Sequence, residues 1–123
     1  MKKMDWVIHF IIDQYGPGGT VDNHTHGMEK YNHLDFQVVL NYKKEEVGRL
    51  LNTMGHRVQN GERFKAGDMV KGLYLDCDVR LDLFWANGRS VLRLIVPDPD
   101  NIFPEDPRCQ APYKYQTEKM FEI

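Results

Sequence analysis

Serine is almost missing from this chain: Ser90 is the only one in 123 residues, and it stands beside a predicted hairpin turn. A serine nucleophile needs a G-x-S-x-G elbow or a comparable strained turn, and none is present. Cysteine is nearly as scarce. Cys77 and Cys109 lie 32 residues apart with no C-x-x-C pairing, which excludes a disulfide framework and a cysteine-rich zinc module. Nothing beside either residue marks an activated thiol. Met1 to Asp5 lead directly into a patterned strand with no secretory leader, so the expectation is a cytoplasmic protein with both thiols reduced.

No apolar run approaches the ~20 residues that a membrane-spanning helix needs. A basic excess is also lacking: 16 Lys and Arg face 18 Asp and Glu, for a net charge of -2. Extended nucleic acid is bound through phosphate neutralisation by a basic face, so that class is not expected. The longest basic runs, Lys2-Lys3 and Lys43-Lys44, read as solvated positions. A single nucleotide needs only one or two cations and some backbone N–H groups, and stays open as a ligand. Gly16-Pro17-Gly18-Gly19 lacks the G-x-x-x-x-G-K-(S/T) pattern of a phosphate loop and reads as a plain turn.

What is present fits one domain spanning residues 1–123. Apolar residues make up 41% and charged residues 28%, ordinary globular values. Val47, Leu50, Leu51, Met54 and Val58 recur at helical period and predict one main helix over about 43–60. Asn41 is its predicted N-cap, Glu45 a partner for Arg49 one turn on, and Asn60-Gly61 its stop. Gly55 inside the stripe predicts a bend or an early end.

Strands are predicted at about 5–13, 36–40, 69–75, 79–85 and 91–96. The first is apolar on both faces, which predicts an internal position. In the fourth, Val79, Leu81, Leu83 and Trp85 alternate as one buried face, and Ala86-Asn87-Gly88 predicts an antiparallel hairpin. Five of the six prolines fall at 97–112, and Ile102, Phe103, Tyr113, Tyr115 and Phe121 predict an ordered strap across the domain, with a short helix near 116–121. The fold class is α+β: a mainly antiparallel twisted sheet of about five strands packed on one helix, closed by that strap.

Candidate chemistry gathers at Asn23-His24-Thr25-His26-Gly27 and His33-Leu34-Asp35. In an extended segment His24 and His26 share a face, and with His33 and Asp35 they make a ligand set suited to a divalent metal. The string His24-Thr25-His26-Gly27 is similar to the start of the HxHxDH motif of metallo-β-lactamase-type hydrolases, but Met28-Glu29 stand where Asp-His would follow. Trp6, Phe10, Phe36, Phe84 and Trp85 are expected in the core. Tyr74, Tyr113 and Tyr115 are better placed for a ligand surface, each having an apolar ring and a polar tip.

From about Thr25 to Gln116, a series of short motifs keeps a fixed order: Thr25-His26-Gly27-Met28, Asn32-His33-Leu34-Asp35, Gly61-Glu62-Arg63-Phe64-Lys65-Ala66-Gly67, Val96-Pro97-Asp98, Phe103-Pro104, Cys109 and Gln116. In this the chain resembles a widespread bacterial and phage family catalogued as a domain of unknown function. Leu34 stands where proline is usual and Asp35 where glutamate is usual. The resemblance implies a compact α+β domain and no particular activity. It also places His26 at a variable position, which favours His33 and Asp35 over the His24–His26 pair as a shared site.

Three functional readings follow. The first is a non-enzymatic domain that binds a small polar or nucleotide-like ligand in a pocket edged by Thr25, His33, Asp35 and Tyr113 of the strap, with no cofactor. The second is a protein-interaction module, such as an accessory or counter-defence factor of a phage or mobile element, with a flat apolar patch or a homo-oligomeric interface. The third is a metal-dependent hydrolase using His24, His26, His33 and Asp35.

Overall fold

The computed structural model describes residues 3–11 and 14–122. One six-stranded sheet and one long helix form a single mixed α+β unit. The strands are β1 (Val7–Ile11), β2 (Asp22–His26), β3 (Asp35–Val38), β4 (Met69–Val70), β5 (Val79–Ala86) and β6 (Arg89–Ile95), and the helix is α1 (Lys44–Gln59). The spatial order is β1-β2-β3-β6-β5-β4. Every neighbouring pair is antiparallel except β3 with β6.

The strand absent from the sequence expectation is β2, whose residues Asp22-Asn23-His24-Thr25-His26 carry no apolar alternation. The sheet nonetheless buries the first four of them. The predicted first strand forms at its centre, and its end at Ile12 and Asp13 lies outside the described residues. It is an edge strand rather than an internal one: Ile8 and Phe10 pack toward the core, whereas Val7 on the opposite face is exposed. The strand predicted at 69–75 shortens to two residues, because the chain turns at Gly72, where φ is +91°.

The α1 stripe Val47, Leu50, Leu51, Met54 and Val58 is buried against Phe36, Val38, Val79, Leu81, Leu92 and Leu94 of the sheet. Its stop is a Schellman arrangement: the N–H of Gly61 donates to Val58 O at 3.0 Å and that of Glu62 to Arg57 O at 2.9 Å. Its start differs from the prediction. Tyr42 N–H donates to Leu40 O, which holds Asn41 outside the helix, and the N-cap position falls to Lys43 with no side-chain cap bond. Arg49 pairs with Glu46 rather than Glu45, because its other nitrogen donates to Leu73 O and draws it toward that loop. Gly55 does not end the helix: it is the point where the Trp6 indole lies directly on the helix surface.

The predicted buried face of β5 is buried only in part. Val79 and Leu81 meet the helix stripe, but Leu83 and Trp85 lie beyond its reach and are 54% and 52% exposed. The hairpin forms as expected, with Asn87 and Gly88 both at positive φ.

Residues 97–122 contain one short 3₁₀ turn at Tyr113–Tyr115, and the Arg93 guanidinium of β6 donates to the carbonyls of Gln116 and Glu118 within them. The helix predicted at 116–121 does not form. The Gln116 side chain is engaged with the N–H and C=O of Val96, and its own carbonyl accepts from Arg93, so this backbone is committed elsewhere. The segment is also seated on the β1–β2 turn. The Tyr115 ring occupies the space a Cβ on Gly18 would need, and Gly18 has φ +67°.

Candidate functional site

Thr25 and Asp35 meet across β2 and β3. The Thr25 hydroxyl donates to Asp35 Oδ1 at 2.8 Å and accepts from Phe36 N–H at 3.0 Å. Asp35 Oδ1 also accepts from Met28 N–H at 3.1 Å, and its Oδ2 accepts from Arg89 Nη1. Arg89 Nη2 donates to Thr25 O at 2.9 Å. Both Thr25 and Asp35 are buried, and the Thr25 hydroxyl and both Asp35 carboxylate oxygens have partners inside the protein. The group ties β2, β3 and the start of β6 together.

His33 stands apart from that tie and is also satisfied. Its Nδ1 faces Leu34 O at 2.8 Å and its Nε2 accepts from Phe64 N–H at 3.0 Å. A carbonyl can only accept and an amide N–H can only donate, so this pattern requires the neutral tautomer with the proton on Nδ1. The ring packs against Phe36 and Phe64, which also meet each other. A hollow of about 330 Å³ lies outside, lined by His26, Glu29, His33, Leu34, Asp35, Arg89 and Ser90.

The predicted metal ligands are split. His24 and His26 do share a face of β2, and the ring of His9, opposite them on β1, is 5.2 Å and 5.9 Å from theirs. Local sequence could not reveal His9, which arrives only through the β1–β2 register. His24 Nδ1 is bonded to Asp22 Oδ1 at 2.9 Å, while His33 belongs to the helix-side packing and both its nitrogens are used. Among the described residues, no group of three or more His, Cys, Asp or Glu side chains is placed to hold a metal ion.

Tyr113 lies away from Thr25, His33 and Asp35. It lines a hollow of about 150 Å³ with Tyr42, Tyr74, Asp76, Cys77, Val96, Pro97, Asp98, Pro99 and Asn101. The three tyrosines come from separate stretches: the approach to α1, the loop after β4, and the C-terminal segment. The Tyr74 hydroxyl donates to Glu46 Oε2 at 2.9 Å, and the Tyr42 phenol neighbours those of Tyr74 and Tyr113. Burial, reinforced by the neighbouring phenols at Tyr42 and by the bond to Glu46 at Tyr74, pushes both phenols well above the ordinary range. They remain neutral hydroxyls in the folded protein.

The acids of this hollow differ in setting. Asp98 is buried and accepts three backbone N–H groups, from Asp100, Ile102 and Gln110. Its burial acts to raise the carboxyl, but these bonds outweigh it and leave the group lowered, as an anion that shapes the loop. Asp76 is exposed at the rim. Cys77 is half-buried, and burial together with the charges of Asp76 and Asp78 raises its thiol, the reverse of what an activated nucleophile needs.

Of the tyrosines expected at a ligand surface, Tyr74 and Tyr113 therefore meet, whereas Tyr115 is used against Gly18. Tyr42 was not indicated by local sequence; its only cue is an aromatic ring just before a helix start. Among the described residues, no helix is long and apolar enough to cross a membrane. No protein-family model, curated protein or solved structure matches the chain.

Proposed function

We propose that this domain is a non-enzymatic binder of a small polar molecule, and that the tyrosine hollow receives it. The observation that carries the reading is the convergence of Tyr42, Tyr74 and Tyr113 from three stretches of chain onto one concave surface. Rings give a ligand apolar walls, and the hydroxyls give it hydrogen bonds that fix its orientation. The Thr25–Asp35–Arg89 tie and His33 offer less, since their donors and acceptors are already engaged.

The hollow, at about 150 Å³, is below the ~300–1,000 Å³ of pockets that enclose drug-sized ligands. It suits one small molecule, or the end group of a larger one, better than a whole nucleotide. Asp76 and Asp98 also oppose a phosphate. The test is a screen of small polar compounds by amide chemical-shift mapping. The reading expects hits whose shifts cluster at residues 42, 74–77, 96–101 and 113; hits confined to other surfaces would remove it.

One observation favours a protein partner as a second reading. Leu83 and Trp85 stand exposed two residues apart on the same face of β5, where the helix leaves the sheet bare. Paired exposed apolar groups of this kind suit a contact patch. A binding loss on Trp85→Ser, with the tyrosine hollow intact, would support that reading.

A further inference from the structure

We propose that the ligand of the tyrosine hollow carries an organic cation, a small alkylated ammonium group. This inference rests on the binding function assigned to that hollow. Three tyrosine rings line it, and the face of an aromatic ring attracts positive charge. Two carboxylates line it as well, while among the described residues no Lys, Arg or His does. Tyr74 already accepts a cation within the protein: the Arg49 guanidinium lies 5.0 Å from its ring centroid.

The same lining disfavours the competing ligands. An anion would meet Asp76 and Asp98, and among the described residues no basic side chain lines the hollow beside them. A hard metal ion needs about six oxygen ligands, but both oxygens of Asp98 are spent on backbone N–H groups, and Asp76 alone is too few. An alkylated ammonium needs no directed ligands. It needs ring faces, a nearby negative charge and a space for a small rounded group, and a hollow of about 150 Å³ supplies that space.

The probes are choline and its neutral carbon analogue, in which carbon replaces the quaternary nitrogen, titrated into the whole labelled protein at low salt. Choline is expected to shift the amides at Tyr42, Tyr74 and Tyr113 and to bind at least about tenfold more tightly than the neutral analogue. Asp76→Asn, at an exposed position, is expected to weaken choline about threefold and to weaken the neutral analogue less. Equal binding of the two probes would overturn the cation inference while leaving the small-ligand function standing. Failure of choline, with neutral polar compounds binding in the hollow, would do the same. If no compound of either kind binds there, both the inference and the function beneath it fall.

Discussion

The Trp6 indole lies on the bare Cα of Gly55, where a Cβ would stand 2.6 Å from ring atoms Cε2 and Cζ2. The ring is held there by its N–H, which donates to Asn52 Oδ1 at 3.0 Å. Gly→Ala within a helix ordinarily stabilises by ~1 kcal/mol. Here the added methyl must displace a buried ring. Gly55→Ala is therefore expected to destabilise the protein by about 1–2 kcal/mol, as overpacked cores do. Urea unfolding followed by circular dichroism checks this; a stabilised variant would mean that Trp6 does not seat on the helix.

A second prediction concerns the buried amide of Gln37, which bridges a carboxylate and a guanidinium. Its Nε2 donates to Asp22 Oδ1 at 2.9 Å, and its Oε1 accepts from Arg93 Nε at 2.7 Å. Arg93 also donates to the carbonyls of Gln116 and Glu118 and lies 3.6 Å over the Phe84 ring. Burial raises the Asp22 carboxyl, but bonds from His24, Gln37 and Asn87 outweigh this and hold it below the ordinary range. Its contribution is then present above the unfolded value of about 3.9 and is lost as pH falls through the lower folded value. Asp22→Asn is expected to cost about 1–3 kcal/mol at neutral pH and to flatten the acid limb. Urea midpoints across a pH series measure both effects.

At alkaline pH the sign reverses. Tyr42 and Tyr74 are raised by burial first, then by the neighbouring Tyr113 phenol and by the bond to Glu46 respectively. Their neutral forms favour the folded state, so the stabilisation is complete below the unfolded value of about 10 and declines as pH climbs above it. Phenolate absorbance of these two rings should rise together with unfolding. Tyr74→Phe is expected to lose about 0.5–1.5 kcal/mol at neutral pH through its bond to Glu46 and to shallow the alkaline limb.

The two thiols should separate by rate. Cys77 is half-buried at the rim of the tyrosine hollow, while Cys109 is buried and its Sγ donates to Ile102 O. Iodoacetamide is expected to modify Cys77 first, with Cys109 following only on unfolding. Because burial and the charges of Asp76 and Asp78 raise Cys77, its rate should climb at higher pH than that of a free cysteine, near 8.5. Mass spectrometry of the alkylated protein distinguishes the sites, and preferential labelling of Cys109 would contradict this geometry.

What could be read from the sequence was what is local. The α1 stripe and its Asn60-Gly61 stop depend on neighbours within a turn or two, and the Asn87-Gly88 hairpin on two residues. The edge position of β1, the bare end of β5 at Leu83 and Trp85, and the strand character of Asp22–His26 depend on partners far along the chain. A polar strand such as β2 shows no alternation because it is buried through hydrogen bonds rather than through apolar contact. The candidate site followed the same division. Two neighbouring motifs assign Thr25 and Asp35 to one site, but Tyr113, expected beside them, belongs with Tyr42 and Tyr74, which are 71 and 39 residues away from it.

The most direct test of the binding function uses fluorotyrosine in place of tyrosine, which gives one fluorine signal for each of the six tyrosines. A bound small molecule is expected to move the signals of Tyr42, Tyr74 and Tyr113 together, in a single saturable transition, while Tyr15, Tyr31 and Tyr115 stay in place. A ligand that binds the protein and leaves those three signals unmoved would contradict the account.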